Sequence, residues 1–275
     1  SDTSMAPLLL GLVGTLQIIS LGLLIARTWT RTHPTVRLGW DDLTIFVATL
    51  IGTTNYLMLL VATFHGYGRH TAFVSLPQRM IAGRLVYWAQ ILWCWSITLV
   101  KMSIAFLLLR FKTTRAWKWF LHAIITALWI SAVVNNIFQF LQCQPYSVYW
   151  DPTIFKHQKV RCWSHTTIDA GIIGFSAVTV TTDVIFSLIP LTFITTLRRP
   201  TREKVAIILL MALGLTASAA SIARIIQLRG FYTSTDLFYK NTTLSLFAMM
   251  EQQLGLIAAT IPTLKSLFER LIAKI

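Results

Sequence analysis

Seven stretches of about 20 or more mostly apolar residues divide this chain, at roughly 6–26, 43–64, 81–109, 119–141, 166–197, 205–228 and 244–268. At a rise of about 1.5 Å per residue, each is long enough to cross a hydrocarbon layer roughly 30 Å thick. Seven such segments cannot form a water-facing globule, because their surfaces offer water almost no charge. Inside lipid the backbone has no water partners, so spans of this length must be helical. The strand-length alternation of a membrane barrel is missing. The expectation is an all-α polytopic membrane protein: one seven-transmembrane-helix domain over residues 1–275, with the lipid bilayer as its first partner.

Composition agrees. The chain is 55% hydrophobic and 12% charged, where a soluble domain carries about 25% charge. The formal net charge of +14 raises nucleic acid as a partner. The basic residues lie in short segments between the apolar runs, however, and form no stripe or tail. That is how membrane proteins place Lys and Arg at their interfaces, so no nucleic-acid partner is expected. The first apolar run exceeds a signal-peptide core and lacks a small-x-small cleavage site, so it reads as a genuine span.

Lys and Arg also give an orientation. Fourteen lie in the first, third and fifth connections and at the C-terminal end; eight lie in the other, longer connections. The bias predicts a lumenal or extracellular N-terminus and a cytosolic C-terminus, in the endoplasmic reticulum or plasma membrane. The sequon Asn241-Thr242-Thr243 falls on the predicted outer side and marks Asn241 as a glycosylation candidate. Cys143 and Cys162 share the fourth connection, where redox conditions permit a disulfide. Cys94 reads as a packed thiol inside the third span.

Charge inside a span is costly and usually meets a partner or a cavity. Four such residues stand out: Lys101, Asp183, Arg224 and Glu251. Asp183 stands about 22 Å along its helix from Arg198, and Glu251 about 21 Å from Lys265, which gives the two acids similar depth. One reading makes these groups structural ion pairs, Lys101 with Asp183 and Arg224 with Glu251. The other makes Asp183 and Glu251 a catalytic acid/base couple at a polar cavity. Ligand contacts there would come from Lys101, Arg224, Asn135, Asn136, Gln139, Gln90 and His70, with Asn55 extending the same interior. Asp41 and Asp42 open the second span and read as helix caps. His65, His70, His157 and His165 match no zinc spacing, and neither a metal nor a cofactor is expected.

Across nearly its whole length the chain resembles the fungal rhodopsin-domain integral membrane proteins. The resemblance rests on Asp41-Asp42, Gly66-Tyr67-Gly68-Arg69-His70, Lys101-Met102-Ser103-Ile104 through Arg110, and Cys143-Gln144-Pro145. It continues through Trp150-Asp151, Cys162, Asp183 with Pro190, Lys204, Arg224, and Glu251 through Pro262-Thr263-Leu264. That group includes receptor-like surface proteins of plant-pathogenic fungi and membrane proteins of satratoxin-type secondary-metabolite clusters. Three cysteines cannot supply the eight-cysteine extracellular domain that the receptor-like branch often carries. A long cytosolic tail, usual in the group, is also missing from this sequence. The seventh span lacks a mid-membrane Lys for a retinal Schiff base, so a light-driven pump is not expected.

Two functions follow as expectations. One is a fungal secondary-metabolite pathway protein that handles an apolar metabolite, as a cyclase-like enzyme or an auxiliary factor beside other pathway enzymes. The other is a receptor of the G-protein-coupled shape, with a small apolar or amphipathic ligand outside and a G protein inside. The third span lacks a DRY-like end and the seventh lacks NPxxY, which counts against the second.

Overall fold

The computed structural model describes residues 4–33, 38–111, 114–154, 159–196, 201–228 and 236–261. Seven long helices account for most of them: α1 (Ala6–Thr32), α2 (Trp40–Phe64), α3 (Leu76–Phe111), α4 (Arg115–Leu141), α5 (His165–Thr196), α6 (Thr201–Leu228) and α7 (Leu237–Thr260). α1 to α5 are each long and apolar enough to cross a membrane, and α6 carries a shorter apolar stretch, Met211–Gln227. The polarity of α7 has a structural cause: it packs against α1, α2, α3 and α6, so little of it needs to suit lipid.

Neighbours in sequence are neighbours in space, and α7 closes the ring onto α1. α3 lies innermost, touching α2, α4, α5 and α7. Burial reflects this: 67% of its apolar window is inside the protein, against 22% for α1 and for α4. The outward faces carry Ile18, Ile25, Leu50, Ile130 and Val134. Trp29, Trp40 and Trp119 are exposed near one end of the bundle, and Phe64 and Phe73 near the other. Such aromatic side chains suit a membrane–water boundary.

The end of the bundle beyond α2 and α4 is capped by folded connections. Cys143 and Cys162 form a disulfide across a two-stranded antiparallel ladder, β1 (Cys143–Gln144) with β2 (Arg161–Cys162). Between the strands, Tyr146, Tyr149 and Trp150 gather around Tyr87 of α3. The loop after α2 needs glycine at two points: Gly66 and Gly68 have φ of 85° and 99°, the left-handed region that side chains disfavour. A Cβ on Gly68 would also strike the backbone of Ala6, where α1 begins. Between these glycines Tyr67 is fully buried, its hydroxyl 2.7 Å from Ser245 Oγ of α7.

Each helix falls on one of the seven apolar stretches, with one consequential shift. α7 begins at Leu237, seven residues before the expected 244, because the Asp236 carboxylate caps it by accepting from the Tyr239 N–H. Asn241 therefore lies within a helix and not in a loop. α5 runs through Pro190, while Pro262, Lys265 and the C-terminal basic residues lie outside the described residues.

Candidate functional site

Glu251, Gln252 and Gln253 are consecutive and all fully buried. Successive helical residues point about 100° apart, so the three side chains face three neighbours. Gln253 turns to α1, where its Nε2 donates to Gln17 Oε1 and its Oε1 accepts from Ser20 Oγ at 3.0 Å. Gln252 turns to α2 and accepts from Asn55 Nδ2 at 3.2 Å. Glu251 turns to α6, its Oε2 3.7 Å from Arg224 Nη2.

Lys101 of α3 reaches α5. Its Nζ lies 3.1 Å from Asp183 Oδ1 and donates to the Thr179 carbonyl at 2.8 Å and to Thr182 Oγ1 at 3.2 Å. Both ion pairings read from the sequence are thus present. They differ in quality. The ammonium of Lys101 is hydrogen-bonded on several sides, as a buried charge requires. The Arg224–Glu251 separation exceeds hydrogen-bond length, and both Glu251 carboxylate oxygens and Arg224 Nη2 lack a hydrogen-bond partner among the described residues.

Between this charged layer and the disulfide end lies a cavity of about 160 Å³. Its lining is polar at Arg224, Asn55, Gln90, Asn135 and Gln139 and aromatic at Trp93, Phe138 and Phe175. Gln142 and Asn241 border it toward the disulfide end. Trp93 is fixed by donating Nε1–H to the Ala248 carbonyl at 2.9 Å, and the Arg224 guanidinium lies 4.3 Å from its ring centre.

The other candidates from the sequence do not line this space. Lys101, Asp183 and Glu251 are held in the pairs beside it. Asn136 donates to the Ala132 carbonyl at 2.8 Å and lies 3.5 Å from Cys94 Sγ, as does Asn135. His70 sits at the disulfide end, 2.7 Å from Asp236 and stacked on Tyr239. Burial pushes the Asp236 carboxyl upward, but hydrogen bonds from Thr71, His70 and Tyr239 outweigh that and hold it below its usual value of 3.8.

The opposite end holds a second charged cluster. Arg27 of α1 is 1% exposed; its Nη2 meets Asp41 at 2.9 Å, its Nε meets Asp42 at 2.8 Å, and its Nη1 donates to the Ala259 carbonyl of α7 at 2.8 Å. Arg31 and Arg110 add further contacts to the same acids. Asp42 also accepts from the Gly39 N–H at 3.1 Å, so of the two expected caps it alone takes part in capping, from the third helical position, with Gly39 as the N-cap itself.

The fungal rhodopsin domain model matches residues 26–270. The chain belongs to that family. It is also 26% identical over 257 residues to a SAT4 family membrane protein of Emericella nidulans, covering 90% of this chain and 60% of that relative. No solved structure matches the chain.

In this fungal rhodopsin domain several of the described residues behind the resemblance meet in the two charged layers and the cap. Asp41-Asp42 and Arg110 form the Arg27 cluster, Tyr67 and His70 tie α2 to α7, and Cys143 and Cys162 close the loop. Arg27 itself was missed: at the end of an apolar run it reads as an interfacial residue. The signal available was its register, since Leu24 and Ser20, one and two turns earlier, are buried on the same face. Asn241 meets a poor setting for a glycan, because it borders the cavity in the second turn of α7 and Thr242 beside it is fully buried.

Proposed function

We propose that this membrane protein binds a small, mainly apolar molecule in the cavity at its disulfide end, in a receptor-like role. The observation that carries the reading is the mixed lining: amides and one guanidinium together with aromatic rings. Ligand sites combine apolar walls with a few convergent polar groups in this way. The Lys and Arg bias and the redox preference of the disulfide support an outward-facing cavity.

A cyclase-like acid finds less support, because Asp183 and Glu251 each face a cation and neither lines the cavity. Handling of a pathway metabolite by binding alone fits the same lining, and the identity of the ligand decides between that role and sensing.

Ala248, a small residue on the cavity wall, allows a direct test. Small aromatic amphiphiles should raise the unfolding temperature of the chain in lipid nanodiscs, since a ligand at about 100 times its Kd adds about 2.7 kcal/mol. Ala248→Phe should remove the shift by filling the space. A shift that survives the filling, or none with any compound, contradicts the reading.

A further inference from the structure

We propose that the cavity takes an organic anion, a carboxylate or sulfonate on a small apolar body, with Arg224 as its counter-ion. This rests on the cavity being a ligand site. Among the described lining residues Arg224 is the only one that is charged. A guanidinium carries five N–H donors, and no described residue accepts a hydrogen bond from it. Glu251 stands 3.7 Å away, close enough to balance charge and too far to engage the fork. The face of the guanidinium rests on Trp93, which fixes its plane and leaves its edges to make bonds.

In a low-dielectric interior, unbonded donors of a cation are costly, and a carboxylate answers two of them at once. A neutral ligand offers them only an uncharged oxygen, which makes a weaker bond than a carboxylate does. Glu251 does not close the site to a second anion. At the opposite end of this molecule Arg27 bridges two carboxylates, Asp42 through Nε and Asp41 through Nη2, with Arg31 and Arg110 assisting. Around Arg224 the amide groups of Gln90, Asn135 and Gln139 are the further donors. The volume, about 160 Å³, is close to that of cavities that hold one benzene ring. It suits an aromatic ring or a short chain.

Such an acid can arrive from water or from the bilayer, so both sources belong in the test. The full chain in phosphatidylcholine nanodiscs is titrated calorimetrically with phenylacetate and phenylacetamide, and in a second arm with decanoate and decanamide. At least one acid should bind about tenfold or more tightly than its amide; the arm in which this occurs names the source. Arg224→Gln alone leaves Glu251 buried without its partner and can fail to fold. The double variant R224Q/E251Q removes the pair as a unit, and in it acid and amide should bind within about twofold of each other. Equal binding of acid and amide to the unaltered chain overturns the anion and leaves the cavity reading standing. A preference that persists in the double variant overturns Arg224 as counter-ion. Binding of none of the four compounds overturns both readings.

Discussion

Arg27 sits between Asp41 and Asp42 at a depth where an arginine usually extends to lipid headgroups. Lys101 and Asp183 were easier to foresee, because a charge in the middle of an apolar run has no ordinary explanation other than a partner. Removing one member of a buried pair strands the other, at a cost of about 3–5 kcal/mol; replacing both by neutral groups is often tolerated. Lys101→Met should therefore destabilise the protein in detergent by about that much. Lys101→Met with Asp183→Asn should recover most of the loss, as read from unfolding midpoints at matched protein concentration. If the double variant is as unstable as the single one, the pair is not what orders α3 against α5. Residue types alone announced that charges would meet. Which carboxylate Arg27 would take depended on side-chain direction at a helix end, and there the apolar pattern is silent.

α6 illustrates what sequence can say about an element. It carries a run of small residues, of which Ala217, Ser218, Ala220 and Ser221 are buried while Ala219 faces outward. Gly214 approaches Ser187 of α5 so closely that an added Cβ would lie 3.0 Å from the Ser187 Cβ. Gly214→Leu should therefore push α5 and α6 apart and lower stability by about 1–3 kcal/mol, whereas the same change at Gly22, which has open space around it, should not. α7 starts earlier than its apolar stretch because its first turns are polar and the cap at Asp236 opens it at Leu237. The Asp236 carboxyl is held below 3.8, so its stabilising contribution is complete above about pH 4 and is lost as pH falls through its lower folded value. Asp236→Asn should flatten the acid limb of the stability profile below pH 4. An unchanged acid limb would show that this cap does not anchor the start of α7.

At the scale of the molecule, two charged layers brace a bundle whose disulfide end encloses the cavity. Seven helices were legible because lipid demands long apolar segments, and their order in the ring follows from short connections. The cavity was only half legible. Gln90, Asn135, Gln139 and Arg224 were foreseen as polar within spans, but their convergence depends on helix rotation. The aromatic wall went unforeseen because Trp93, Phe138 and Phe175 read equally well as lipid-facing.

The central claim is a cavity beside Arg224 that is open to the outside. Ala248→Cys places a thiol on its wall and Leu43→Cys places one on the exposed face of α2. Both are treated with a negatively charged, membrane-impermeant methanethiosulfonate applied to intact cells. The account predicts modification of the thiol at position 248, slowed by a bound organic acid, and none at position 43. Modification at 248 only from the cytosolic side, or from neither side, contradicts it.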